Sequence, residues 1–436
     1  MLMASAASCN PVRLEKDHNL AAWIGAVAVH PLHALLVAPN ILFLVTLTLM
    51  LFRPPNVGLF PFDRIAFLLL VFVVGLRTLF LRDAFPCMFS ISIPMLGLTL
   101  LAVAGNWQEH AFAAEDWSLV AAKFVVPFIL FHLAAVVFTG DSRIRQLEIF
   151  CLAILAYLCF VSIAFLLGAT ELIFPKFILD GSIEMHADRA RGPFLQAAAN
   201  GIALNLLGLV LLDRLGRARI RWAIAASLLV ALPLAIFATR TRSVWLSFLL
   251  SFLAIALTAK QKRLRRASLY IVLGATAVLA VTLASSGLRR AFQERFTDQQ
   301  TVDFRLAVYQ LSWDMIRERP LLGWGQGQFG QEIESRISDY RPENYAAHNT
   351  YIEVLVEHGA VGIALYAWVF IGLFRLGKES RWFHTGWPIF LGVYLLNACF
   401  VVVNYQFVNA LVFTFAGVLA AQGRYAGHPG EMENSD

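Results

Sequence analysis

The sequence predicts an all-α integral membrane protein of about twelve transmembrane helices, with one large extracytoplasmic loop late in the chain. Three observations predict it. Apolar runs of about 20 residues, the length that crosses a bilayer as a helix, recur along the whole chain. The 436 residues are 59% hydrophobic and only 15% charged, against about 45–50% and 25% in soluble domains. Lys and Arg concentrate in alternate connections, as topology signals do. Lipid leaves backbone polar groups unsatisfied, so spans are helices or a closed barrel. These runs are continuous and rich in Leu, Ala, Val and Phe, without the alternation a barrel strand requires.

In chain order the expected spans are 32–52, 62–81, 87–105, 117–138, 146–167, 194–212, 222–238, 243–258, 268–284, 350–374, 384–403 and 407–421. Residues 19–31 read as an interfacial helix or the start of a longer first span. Prolines at 31, 54, 55, 61 and 86 fall at helix ends. One set of connections holds Arg13, Lys16, Arg82, Arg143, Arg145, DRLGRARIR (213–221), KQKRLRR (260–266), RLGKESR (375–381) and Arg424, 18 basic residues in all. By the positive-inside bias these connections, and with them both termini, are cytoplasmic. NWQEHAFAAED (106–116), on the opposite side, has none.

Two connections are long. Residues 168–193 form one outer loop. Residues 285–347 form the other, inserted between spans and holding helix-like stretches around 288–296 and 303–318. The chain otherwise reads as one polytopic domain, 1–436, with a disordered tail at 425–436. The first residues do not read as a cleavable signal. The net charge of +6 is spread among loops and does not point to nucleic acid. Cys9, Cys87, Cys151, Cys159 and Cys399 show no metal or disulfide spacing.

Several outer-side groups stand out. FATRTRSVWLSF (237–248) puts Arg240 and Arg242 in a very short turn on a side where arginine is scarce. Such a pair suits bidentate binding of phosphate; interfacial arginines reaching to headgroups give the plainer account. DRARGPF (188–194) adds Arg189 and Arg191, as loop charge or as a second anion contact. In DFRLAVYQLSWDMIRERPLLGWG (303–325), Arg305 precedes an amphipathic helix whose apolar positions read Leu306, Tyr309, Trp313 and Ile316. Arg317 and Arg319, at its far end, are expected to be solvated. GQGQFG (325–330) matches a dinucleotide fingerprint in letters alone, since no strand precedes it; it reads as a tight turn. Glu115 and Asp116 read as solvated loop acids, and no metal-ligand cluster is present in the sequence.

HNTYIEVLVEHGAVG (348–362) opens a span with His348 and Asn349 and carries Glu353 and Glu357 at i,i+4. His348 is either an interface residue at a helix start or a base near neutral pH. Hydropathy and loop charge put Arg189, Arg191, Arg240, Arg242, Arg305 and His348 on one side of the membrane. Arginines plus one histidine, without metal ligands, are what a lipid diphosphate and a hydroxyl nucleophile require.

These motifs resemble the bacterial O-antigen ligases and the related O-antigen and exopolysaccharide polymerases. The similarity is densest from about 237 to 362 and rests on TRTRSVWL, on RLAVYQLSW leading into RPLLGWG, and above all on HNTYIEVLVEHGAVG. The N-terminal half matches in hydropathy alone. The resemblance implies a GT-C-like helical fold in the bacterial inner membrane with a periplasm-facing site. It implies a glycosyltransferase that needs no cofactor or metal. Its donor would be an undecaprenyl-diphosphate-linked glycan; its acceptor would be lipid A–core, or a growing glycan in a polymerase. By motif, Arg242, Arg305 and His348 take the catalytic roles. Arg240, Arg189 and Arg191 are further diphosphate contacts, and Asn349, Tyr351 and Glu353 support them. Transfer by direct attack would invert the anomeric centre. A transporter or flippase is the third reading; it expects charged or broken helices near mid-membrane. Lys123 and Arg77 are the charged exceptions within spans and read as lying towards helix ends.

Overall fold

A computed structural model describes residues 38–53, 60–81, 88–110, 114–183, 187–284, 300–337, 347–379, 383 and 386–427. Among them every regular element is helical. Five helices are long and apolar enough to cross a membrane, and a further five apolar helices are 10–17 residues long. The stretches 19–31 and 288–296 lie outside the described residues.

In chain order the helices are α1 (Pro39–Leu51), α2 (Phe62–Leu81), α3 (Phe89–His110), α4 (Ala114–Val120), a π-helical turn (Ala121–Val125), α5 (Val126–Val137), α6 (Asp141–Leu166), α7 (Ala197–Gly216), α8 (Trp222–Ala238), α9 (Arg242–Thr258), α10 (Lys262–Ala284), α11 (Gln300–Glu318), α12 (Gln328–Arg336), α13 (Thr350–Glu379), α14 (Trp387–Ala398) and α15 (Gln406–Gly427). Glu115 and Asp116 fall within α4 rather than in a loop. The last helix reaches Gly427, so 425–427 are helical where a tail was expected; 428–436 lie outside the described residues.

The bundle is built around α7, whose span is 89% buried. It packs against α6, α8, α9, α10 and α14, while α15 packs on α5, α13 and α1, and α13 packs on α3. Small residues set the approach. A Cβ on Gly201 would lie 2.4 Å from Val244 Cγ1 of α9, and one on Gly208 would lie 2.6 Å from Leu232 Cδ2 of α8. A polar ladder joins the same helices. Asn205 Nδ2 donates to Ser247 Oγ (3.3 Å), Ser251 Oγ donates to Asn205 Oδ1 (3.1 Å), and Asn397 Nδ2 donates to Ser247 Oγ (2.9 Å). The outward face of α9 carries Leu246, Leu250, Leu253 and Leu257, all exposed at helical spacing. That is the apolar stripe expected where a helix meets lipid.

The two ends of α7 differ in chemistry. At its C-terminal end, buried Glu148 of α6 meets Arg214 (3.2 Å) and Arg217, and Arg217 also meets Asp213. The other end joins the 188–194 segment and the candidate site. A 20-residue helix separates the two ends by about 30 Å.

Gly201→Val is expected to destabilise the fold by about 1–3 kcal/mol through overpacking, read as a lowered thermal unfolding midpoint in detergent. Val244→Ala in the same chain should recover part of the loss.

Candidate active site

The site begins with a helix that does not run through. Within α13, Gly359 has φ 63° and ψ −163°, so the helix breaks there. A break frees N–H and C=O groups that lipid cannot satisfy. The backbone of 320–325 takes them up. Ala360 N donates to Pro320 O (2.9 Å) and Val361 N to Leu321 O (3.1 Å); Trp324 N donates to Val356 O (3.0 Å) and Gly325 N to Glu357 O (2.9 Å). So close an approach excludes side chains. A Cβ on Gly359 would lie 2.3 Å from the Leu321 carbonyl, and one on Gly323 would lie 2.5 Å from the Glu357 backbone. Gly323, Gly325 and Gly327 all have positive φ, and the tight turn expected at GQGQFG is observed. Beyond the break, Ala360–Gly377 lies within the candidate span; its length of about 27 Å nearly crosses a bilayer unaided.

His348 precedes that segment with φ +45°, a left-handed conformation rare for residues with a Cβ. Asn349 caps the helix: its Oδ1 accepts from Tyr351 N (2.9 Å) and Ile352 N (3.2 Å). Tyr351 donates from its hydroxyl to Leu395 O (2.8 Å), anchoring the first turn on α14. Thr350 Oγ1 donates to Val401 O (2.9 Å) and accepts from Val403 N (3.0 Å). Residues 347–350 are thereby fixed on two sides.

Arg305 lies on α11. The buried face of α11 is Val308, Ser312 and Met315, whereas Leu306 and Trp313 are exposed. Of the four apolar positions read from spacing, only Tyr309 and Ile316 pack on the core beneath. Leu306 and Trp313 stay exposed on the neighbouring face, and Ser312 is buried by donating to its own Val308 carbonyl (2.7 Å). That small core also contains Ala347, Phe329, Ile333 and Val356. Arg305, one turn before Val308, and His348, next to Ala347, therefore flank the same core. The Arg305 Nε is buried without a hydrogen-bond partner. Arg317 and Arg319 are both exposed as expected, and the Arg319 guanidinium lies 4.1 Å from the Trp324 ring centroid. Arg336 holds Glu318 through two bonds of 2.7 Å, which keeps that carboxyl below its ordinary range.

The arginine turn follows α8. Arg240 has φ +48° and its Nη1 lies 3.7 Å from Asp188. Arg242 is the first residue of α9 and is exposed. Ala190 N donates to Ala238 O (3.1 Å), which seats the 188–191 segment beside this turn. Arg189, partly exposed, lies 4.0 Å from Asp188. Phe194 meets Phe407 at the start of α15 (5.9 Å between centroids), just beyond the Val403 that binds Thr350. All six expected residues thus belong to one end of the bundle.

Arg191 is a correction. It is 1% exposed. Its Nε and Nη1 donate to Ile178 O (3.0 Å) and Ile183 O (2.6 Å), and its Nη2 donates to Asp180 O. The guanidinium is occupied in folding 168–193, not turned to a ligand.

Lys123 is a second correction, since it does not lie loose at a helix end. It sits in the π-helical turn with its side chain 9% exposed, and its Nζ lies 2.9 Å from Glu353 Oε1 and 3.6 Å from Glu357 Oε2. Glu357 also accepts from Gln326 Nε2 (2.7 Å) and Gly327 N (2.9 Å), and Gln326 Oε1 faces His358 Nε2 (3.2 Å). Sequence reading missed this cluster. The available signal was a lysine in an apolar span facing two acids at i,i+4 on another. Among the described residues no group of His, Cys, Asp and Glu could hold a metal ion.

Fold and site together define a helical membrane protein whose cationic and imidazole groups gather at one end, around a broken helix. Residues 226–367, about one third of the chain, are similar to the family model described as O-antigen ligase. The matched segment contains Arg240, Arg242, Arg305 and His348, while Arg189, Arg191 and Lys123 lie outside it. No curated protein matches the chain.

Gly359→Ala is expected to cost at least about 1–3 kcal/mol, because its backbone region is almost closed to residues with a Cβ, and to free the amides of 320–327 to hydrogen exchange. Gly274→Ala is the control. Its Cβ meets nothing within 4 Å in α10, so stability should hold or rise.

Proposed function

We propose that this protein transfers a glycan from undecaprenyl diphosphate to a sugar hydroxyl of lipid A–core, as the last step in assembling lipopolysaccharide. The observation that carries the reading is that Arg240, Arg242, Arg305 and His348 share one end of the bundle and all fall within the O-antigen ligase segment. In this reading that end faces the periplasm of a bacterial inner membrane, the basic loops and both termini face the cytoplasm, and about twelve spans enclose the site.

The chemistry is a direct displacement. The acceptor hydroxyl oxygen forms a bond to the anomeric carbon as the bond from that carbon to the diphosphate oxygen breaks. His348 orients the hydroxyl and takes its proton. Arg242 and Arg305 hold the diphosphate and stabilise the negative charge it gains on leaving. Arg240 and Arg189, both beside Asp188, flank that set. Arg191 is left out, because its guanidinium is already taken. One displacement inverts the anomeric configuration, and no step requires a metal.

The polymerase reading shares every one of these residues and differs in the acceptor. A transporter would also have a broken helix and a buried lysine. Here the groups freed by the break bond to 320–325 and the lysine to two glutamates, which leaves neither for a moving anion.

Purified protein given a lipid-linked glycan and lipid A–core should yield glycosylated core and free undecaprenyl diphosphate without added metal. Longer lipid-linked chains with unmodified core would assign the polymerase, and no release of undecaprenyl diphosphate would defeat both. His348→Ala and Arg305→Ala should each lower turnover by at least about 100-fold, with the purified protein still monodisperse. Arg191→Gln should lower the unfolding midpoint before it affects donor KM.

A further inference from the structure

The Lys123 cluster is a buried charged feature beside the site that the proposed chemistry does not use. It joins three separate parts. The ammonium comes from the π-helical turn of the bundle. The carboxylates come from the helical segment that His348 and Asn349 open. The amide and N–H that complete Glu357 come from the outer loop at Gln326 and Gly327. The π turn is itself built in: Ala122 O, displaced from regular α pairing, accepts from Asn409 Nδ2 of α15 (3.4 Å), and such turns concentrate at functional sites. Stability is a poor account of the cluster. A buried ion pair seldom outperforms apolar residues of similar volume, and here one cation faces two carboxylates, with Glu353 Oε2 lacking a hydrogen-bond partner. What the cluster does supply is a fixed register. Glu353 N donates to Asn349 O (3.1 Å), so holding Glu353 holds the turn from which His348 projects.

We infer that Lys123 and Glu353 are positioning residues for His348, setting where the imidazole stands relative to the arginines. The inference rests on the transfer reading above. A misplacement near 1 Å lowers turnover by about 10–100-fold without a matching change in binding.

The experiment compares Lys123→Gln, Lys123→Arg and Glu353→Gln in reconstituted transfer. Glu353→Gln is the mild variant, because it leaves one lysine facing one glutamate. Expected are a kcat loss of about 10–100-fold in Lys123→Gln and Glu353→Gln, donor KM within about threefold of wild type, and substantial recovery in Lys123→Arg. Hydrogen exchange is read on the same proteins and does not depend on activity. Faster exchange confined to 350–358 and 320–327, with α8 and α9 unchanged, is expected. Unchanged exchange and kcat in Glu353→Gln would overturn the inference. So would a raised donor KM in Lys123→Gln with Glu353→Gln unaffected, which would make Lys123 a donor ligand. If wild type transfers nothing, the functional reading fails and the exchange data alone decide whether the cluster sets the helix.

Discussion

The structure depends on the exchange of backbone hydrogen bonds around Gly359. Breaking a membrane helix strands polar groups in a layer without water, at several kcal/mol each. Four bonds to 320–325 remove that cost. They do so only because Gly359 and Gly323 let two backbones meet where any Cβ would collide. The break is therefore a joint. It ties the 320–325 segment to the helix that follows His348, and α11 and α12 pack on that helix beside it.

The joint also explains where polar chemistry can sit in so apolar a chain. The bundle below it is packed through glycines and a ladder of Asn and Ser side chains that bond to one another. Charge appears at the two ends of α7. At the C-terminal end Glu148, Arg214, Arg217 and Asp213 neutralise one another in a closed group. At the other end the arginines come from three segments, with Arg189 and Arg240 beside Asp188 and Arg242 exposed. An exposed guanidinium can meet an anionic ligand; a buried group of matched charges is a structural clasp.

Much of this was legible in the sequence, and what was not has physical causes. Helix positions followed from apolar run length because lipid enforces it. Asn349 was readable as a helix start because cap chemistry is local. On α11, spacing marked Tyr309 and Ile316, which pack inward, but not Ser312, because a serine that bonds to its own helix can be buried. Lys123 was read as a helix-end charge because its partners, Glu353 and Glu357, lie far along the chain and no local pattern links them. The break at Gly359 was invisible for a related reason. Glycine is common in membrane helices, and the residues that make this one necessary are Leu321 and Leu322, in another segment.

Arg191 shows how far counting charges can carry a site argument. Positive charge on the side where it should be scarce drew attention to five arginines, and that reasoning treats them all alike. Geometry separates them. Arg191 spends its guanidinium on the carbonyls of Ile178, Asp180 and Ile183, which close the 168–193 segment. It is needed on that side because an irregular loop has carbonyls to satisfy, not because a ligand is anionic. Arg240 differs in holding a left-handed backbone at the tip of a turn, and His348 shares that conformation. Strain of this kind persists only where surrounding contacts enforce it, and it clusters at sites that act. The Arg240 turn is enforced by Ala190 on Ala238, and His348 by Thr350 on 401–403. The same contacts that hold two unfavourable conformations in place are those that bring the arginine turn and the imidazole to one end of the bundle.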